Sequence, residues 1–292
     1  MTLDLSHLPL VLRERACDSN HDRINQVKEA NWVGYARAND ALARLNEMIE
    51  QPICARMPCL LLYGDSGMGK TMIVEKFARM HPRHHEHKTG IESRPVLIIQ
   101  FPSRPDERRL FARILRGLGA PYSAYWRIDA LERAAMDALA RVRVQVLVIE
   151  EFQQLLAGGA REQRVALNLI KTIANDLRIS LVGVGTDEAR YAIEADPQIR
   201  RRFDPFALPR WRETSDFRDF VGAFGKIFPL RKASRLGDRG VVQRLLGASE
   251  GITGPVTRLL SMAAVESIRS SRECINEGAI ELAATRLEET FQ

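Results

Sequence analysis

Gly64-Asp65-Ser66-Gly67-Met68-Gly69-Lys70-Thr71 lies between the apolar run CLLLY (59–63) and the segment GKTMIVEKFARM, whose Ile73, Val74, Phe77 and Ala78 recur at helical spacing. Strand, glycine-rich turn and helix therefore follow one another, and the eight residues match G-x-x-x-x-G-K-[ST] in full. The chemistry explains the residue types. Glycines let backbone N–H groups turn inward around a phosphate, and the helix N-terminus adds partial positive charge. Lys70 reaches the β- and γ-phosphate oxygens of a nucleotide, and Thr71 offers a hydroxyl to Mg²⁺.

The same alternation extends in both directions. Upstream, Ala41, Leu42, Leu45, Met48 and Ile49 mark a helix that ends near Pro52. Downstream come a polar, His-rich insertion at 81–90, a buried strand at 95–101 (PVLIIQF), and a helix with the stripe Leu110, Phe111, Ile114, Leu115 and Leu118. Arg109, Arg113 and Arg116 fall on another face of that helix, making it basic and amphipathic. A further helix over 128–141 precedes a third strand, VQVLVIEEF (144–152). After the turn at Gly158 and Gly159, the stripe from Ala166 to Leu177 predicts a helix and ISLVGVGT (179–186) a fourth strand. Strands alternating with helices predict an α/β fold, a parallel sheet with helices on both faces. From about 213 onward only helical patterns occur, broken near Pro229, Gly237 and Gly251, which predicts a small C-terminal helical domain. The expected organisation is an N-terminal extension (1–35), an α/β nucleotide-binding domain (36–211) and a helical lid (212–292).

Composition sets the frame. The 292 residues carry 43 Lys+Arg against 37 Asp+Glu, and 45% are hydrophobic. That is material for a full core, which excludes a mini-protein or a disordered chain. No run approaches the roughly 18 apolar residues of a membrane helix, and the N-terminus lacks a basic region followed by an apolar one. The expectation is a cytoplasmic protein with no membrane partner. Cys17, Cys54, Cys59 and Cys274 form no C-x-x-C pair, so neither disulfide nor zinc is expected. His81, His84, His85 and His87 lack acids or thiols at ligand spacing and read as a solvated insertion. The net charge of +6 is regional, since Arg190 to Arg244 alone carries thirteen basic residues against seven acids. Only seven of the basic residues are Lys. Arg suits phosphate recognition, and a GC-rich coding bias accounts for the same excess equally well.

A nucleotide site also needs acids at a strand's C-terminal edge, one for the magnesium shell and one to orient the attacking water. Glu150 and Glu151 end the third strand. Glu150 stands where P-loop enzymes usually have Asp, one methylene longer, a departure that bears on magnesium geometry and hydrolysis rate more than on ATP binding. Glu151 is the candidate catalytic base. Thr186, at the end of the fourth strand, can meet the γ-phosphate or the lytic water, or cap the helix that follows, and both roles are compatible. In Arg200-Arg201-Arg202-Phe203, an Arg supplied to a neighbouring subunit can neutralise transition-state charge.

These residues resemble the AAA+ ATPases, and more closely the TniB/TnsC family of transposon-encoded target-selection ATPases. The resemblance covers most of the chain, through YARANDALARLNEMIEQP, RMPCLLLYGDSGMGKT, IIQFPSRPDERRLFARILRGLGAP, VLVIEEFQQLLAG, NLIKTIANDLRISLVGVGTDEA, DPQIRRRFDPFALPRW and SEGITGPVTRLLSMAAVESI. It implies an ATP- and Mg²⁺-dependent homo-oligomer, ring or helical filament, that assembles on double-stranded DNA, marks a target and recruits a DDE-type transposase, with a TniQ-like protein as a further partner. Hydrolysis to ADP and phosphate would drive release. By the same resemblance Lys70 and Thr71 match the Walker A positions, Glu151 the Walker B base, Thr186 sensor 1 and Arg202 the arginine finger. Relatives often carry an Arg after the glycine of GITGPV, where this chain has Pro255; Arg258 is the substitute for sensor 2. Arg104 falls in the loop after the second strand, where related proteins present a basic residue to DNA, and Arg108 and Arg109 cluster with it. Two alternatives remain, an ATP-bound scaffold with little turnover and a helicase-loading ATPase similar to DnaC.

Overall fold

A computed structural model describes residues 4–29, 32–86, 91–194 and 200–289. The expected His87, with 88–90, and residues 196–199 of the DPQIRRRF segment lie outside these. The chain divides into two compact units, one of Arg37–Ser66 with Lys70–Leu208, the other of the residues up to Ala36, Gly67–Gly69 and Pro209 onward.

The first unit holds the sheet. Its strands are β1 (Cys59–Tyr63), the short β2 (His84–Glu86) and β3 (Ile91–Ser93), β4 (Val96–Gln100), β5 (Val146–Glu150), β6 (Ser180–Gly185) and β7 (Phe203–Ala207). Five of them form a wholly parallel sheet in the order β4-β5-β6-β1-β7. The apolar runs predict this, because a strand covered by helices on both faces needs no polar alternation; CLLLY is buried at Cys59–Leu62 and VLVIE at Val146–Ile149. The core gathers Leu61, Leu97, Leu147, Ile149 and Leu181 with the helix stripes Leu110–Leu115 and Ala166–Ala174. The helix Glu107–Leu118 starts where Asp106 accepts a hydrogen bond from the Arg109 N–H and ends at left-handed Gly119.

Two segments depart from expectation. Between the arginine run at 200–202 and the expected boundary near 211 lies a strand that the pattern did not mark, β7, paired to β1. Pro205 inside FDPFA obscures it in the sequence, and the edge position of β7 is what tolerates a residue without an N–H. The His-rich stretch also contributes structure, with His84–Glu86 pairing antiparallel to Ile91–Ser93.

The second unit is helical. Helices Ser215–Phe224, Arg239–Ser249, Thr253–Arg269 and Glu277–Glu289 pack with the N-terminal helix Asn20–Lys28. Phe217, Phe220, Phe224 and Phe228 are buried here, and Trp211 stacks on Phe220 at 4.9 Å. Arg23, wholly buried, donates to both carboxylate oxygens of Glu273 at 2.7 and 2.8 Å and to Pro229 O at 3.1 Å. Burial, the strongest influence, pushes the Glu273 carboxyl up, but the hydrogen bonds from Arg23 and the Arg231 N–H, with their charges, outweigh it and hold it below the usual range.

Candidate nucleotide site and basic surface

The turn after β1 is built on three glycines at positive φ, Gly64 (151°), Gly67 (81°) and Gly69 (88°). At Gly64 a side chain has no space, since a Cβ there would lie 2.4 Å from the carbonyl oxygen of Leu208. The helix Lys70–Met80 begins directly after the turn. Lys70 folds back over it, its Nζ donating to Gly64 O and Asp65 O, both at 2.7 Å. Burial draws the ammonium below its ordinary range while the Glu151, Asp65 and Asp187 carboxylates oppose that shift. A half-buried cation whose hydrogen bonds go to backbone carbonyls suits exchange for phosphate oxygens.

The parallel register brings the other expected residues to the same sheet edge. Thr71 Oγ1 donates to Glu150 Oε1 at 2.6 Å. Glu150 is the last residue of β5, and Glu151, at φ 55° and ψ 38°, breaks the strand and starts the 3-10 turn Phe152–Ala157. That left-handed residue is why the strand stops short of the expected 152. Glu151 Oε2 accepts from Gln153 Nε2 at 2.6 Å, and Gln153 Oε1 accepts from the Thr186 N–H at 3.2 Å. The Thr186 hydroxyl is buried and has no hydrogen-bond partner among the described residues. It does not cap the following helix; the Thr186 carbonyl instead accepts from the Ala189 N–H at 2.9 Å. Asp65, Ser66 and Met68 complete the loop, with Met68 buried.

An orphaned buried hydroxyl, a hydroxyl already oriented by a carboxylate and an ammonium held by carbonyls fit a nucleoside triphosphate with a hard divalent cation. Thr71 would be the protein ligand and Glu150 its orienting partner. Gln153 was not anticipated from the sequence. The one signal for it was the pair of glycines in β6, because at Gly183 a Cβ would meet the Phe152 ring at 3.1 Å and at Gly185 the Gln153 Oε1 at 2.6 Å.

The remaining candidates are dispersed. Arg202 Nη2 donates to Asn175 Oδ1 at 2.9 Å. Arg258 lies on the helix Thr253–Arg269 of the second unit. Arg104 is exposed in the loop after β4. Arg108, also exposed, donates from its Nη1 to Ala124 O at 3.0 Å and Trp126 O at 2.6 Å, so that it braces the 120–127 loop. Arg109 lines a surface cavity of about 290 Å³ with Ser103, Arg113, Arg116 and Tyr122. Arg113 and Arg116 were legible as part of a basic helix face; the loop that folds Tyr122 against them was not.

The model of the family described as bacterial TniB protein matches residues 23–213, well over half of the chain. The chain belongs to the TniB family. Among curated proteins this TniB-family chain is 26% identical over 163 residues to the chaperone ClpB of Aquifex aeolicus, covering 55% of this chain and 15% of that one. It is 29% identical over 154 residues to the chloroplastic chaperone ClpC of Pisum sativum, covering 52% and 15%. The chain thus spans about a seventh of the length of those relatives. Among solved structures it resembles the Aeropyrum pernix ORC1 protein in complex with DNA, with TM-score 0.63 and 18% identity over 91% of this chain and 69% of that one. The Thermotoga maritima RuvB Holliday junction branch migration motor gives TM-score 0.54 and 13% identity over 90% and 73%. The fold is that of the AAA+ P-loop ATPases. No helix among the described residues is long and apolar enough to cross a membrane, the four cysteines are free thiols, and no cluster of three or more His, Cys, Asp or Glu there could hold a metal ion.

Proposed function

We propose that this TniB-family protein is an ATP-dependent DNA-binding transposition protein of the cytoplasm. It assembles as a homo-oligomer, ring or filament, on double-stranded DNA, selects a target and recruits a DDE-type transposase together with a TniQ-like protein, and ATP hydrolysis drives release. Residues 36–211 serve as the nucleotide-binding domain and 212–292 as the lid.

The observation that carries the ATPase reading is the orphaned Thr186 hydroxyl at the sheet edge where Glu150 and Glu151 end β5 and where Thr71, from the helix after the loop, meets Glu150. In this reading Gly64–Gly69 present backbone N–H groups to the phosphates, and Lys70 exchanges its two carbonyls for phosphate oxygens. Thr71, oriented by Glu150, holds magnesium, which when bound neutralises charge on the β- and γ-oxygens. Glu151 accepts a proton from water, Thr186 orients that water or the γ-phosphate, and Arg202 leaves Asn175 to reach a neighbouring subunit's nucleotide. Arg258 contributes to nucleotide binding. DNA contacts run from arginine to phosphate and carry little sequence information. Arg104 and Arg109 make them, joined by Arg113 and Arg116, which line one cavity with Arg109, while Arg108 acts through the loop it braces.

The test is ATP turnover with and without double-stranded DNA, for the unaltered protein and Glu151→Gln. DNA-stimulated hydrolysis that disappears in Glu151→Gln supports the reading. A scaffold with little turnover is the second reading, favoured by the engagement of Arg202 by Asn175. It wins if the protein binds ATP and coats DNA with turnover no higher than that of Glu151→Gln.

A further inference from the structure

The end of β6 reads SLVGVG, with glycines at alternate positions on one face. Both are explained by what fills the space beside them. The Phe152 ring occupies the room over Gly183, and the Gln153 carboxamide that over Gly185, where a Cβ would also lie 2.7 Å from the Ala189 Cβ. Glu151 adopts a left-handed conformation that a side chain bearing a Cβ disfavours, and the turn it starts brings Gln153 back over the strand end. Glycines and a strained backbone thus converge on one half-buried side chain whose carboxamide is used at both ends. Its nitrogen donates to Glu151 Oε2 at 2.6 Å, and its oxygen accepts from the Thr186 N–H at 3.2 Å.

We infer that Gln153 is a positioning residue for the ATPase reaction, a two-ended carboxamide that sets the direction of the Glu151 carboxylate and ties it to the β6 end bearing the Thr186 hydroxyl. This inference rests on the reading of Glu151 as base. A neutral amide suits the task, because it directs one carboxylate lone pair without adding charge beside Lys70, whose surroundings already include Glu151, Asp65 and Asp187. An acid here would repel Glu151, and an apolar side chain would leave both Glu151 and the Thr186 N–H to find other partners. The two hydrogen bonds of this side chain connect Thr186 to the base. Outer partners of this kind change catalytic parameters by about 10- to 100-fold when removed.

The experiment compares Gln153→Ala, Gln153→Glu and Gln153→Asn with the unaltered protein in single-turnover and steady-state ATP hydrolysis, nucleotide affinity and thermal midpoint. Gln153→Ala is expected to lower kcat about 10- to 100-fold with nucleotide affinity and midpoint nearly unchanged. Gln153→Glu keeps the volume but replaces the donor with a like charge, and should fall at least as far; Gln153→Asn, too short to span both partners, should recover part of the loss. Wild-type kcat in both Gln153→Ala and Gln153→Glu overturns the inference, as does a loss of affinity and midpoint in step with kcat, which marks a structural role only. Absence of turnover in the unaltered protein overturns the hydrolysis reading itself, and this inference with it.

Discussion

Glu150→Asp restores the residue type usual at the end of this strand and should nevertheless weaken magnesium-dependent nucleotide binding. Glu150 meets the Thr71 hydroxyl directly at 2.6 Å. Removing one methylene withdraws the carboxylate by about 1.5 Å, so the oxygen–oxygen separation opens to about 4 Å, outside hydrogen-bonding range. A hydroxyl-to-carboxylate hydrogen bond contributes about 1.5–3 kcal/mol net. The pair is solvent-accessible, which places the effect at the lower end, about tenfold in apparent magnesium affinity. The assay titrates Mg²⁺ into protein with a fluorescent ribose-modified ATP, for the unaltered chain, Glu150→Asp, Thr71→Ala and the double variant. If Glu150 acts by orienting Thr71, Glu150→Asp has no further effect in the Thr71→Ala background. An unchanged Mg²⁺ half-saturation in Glu150→Asp, or fully additive losses in the double variant, refutes the reasoning.

Glu273→Gln leaves the buried Arg23 charge without its counter-ion and should cost about 3–5 kcal/mol in urea unfolding at pH 7; a loss below 1 kcal/mol removes the pair from the account of stability. Because the folded-state value of Glu273 is depressed, its contribution is fully present above the unfolded carboxylate value of about 4.3 and disappears as pH falls through the folded value. The advantage of the unaltered chain over Glu273→Gln should therefore shrink in acid, and a constant difference from pH 7 to pH 3 contradicts the assignment. Burial pushes the Cys59 thiol up to about 11, whereas Cys17 is exposed, so iodoacetamide at pH 8 should label Cys17 and spare Cys59 until the chain unfolds; equal labelling in peptide mapping of the native protein is the adverse result. Replacing Arg109, Arg113 and Arg116 together by Ala should reduce the salt slope of DNA binding by up to about 3 and leave nucleotide affinity intact, and an unchanged slope removes that cavity from the DNA surface.

The sheet, its parallel sense and the phosphate loop were legible along the chain because each rests on local pattern. CLLLY, VLIIQ and VLVIE are apolar on both faces, and four spaced loop residues suffice to recognise the turn. β7 was hidden by Pro205, and the first 35 residues by their weak periodicity, although Asn20–Lys28 carries the buried Arg23. No local rule reports a partner 250 positions away, as Glu273 is from Arg23.

By itself, then, the sequence determined which chemistry is present: a glycine loop able to turn its amides inward, a lysine and a threonine after it, two acids ending an apolar strand, and a surplus of arginine. Tertiary structure alone decided how those groups are engaged. It set Glu150 on Thr71, Gln153 between Glu151 and Thr186, Arg202 on Asn175, and Arg108 on the carbonyls of the 120–127 loop. The physical reason is that residue type fixes what a side chain can donate or accept, whereas its partner depends on strand register and backbone direction, which arise only when distant segments pack.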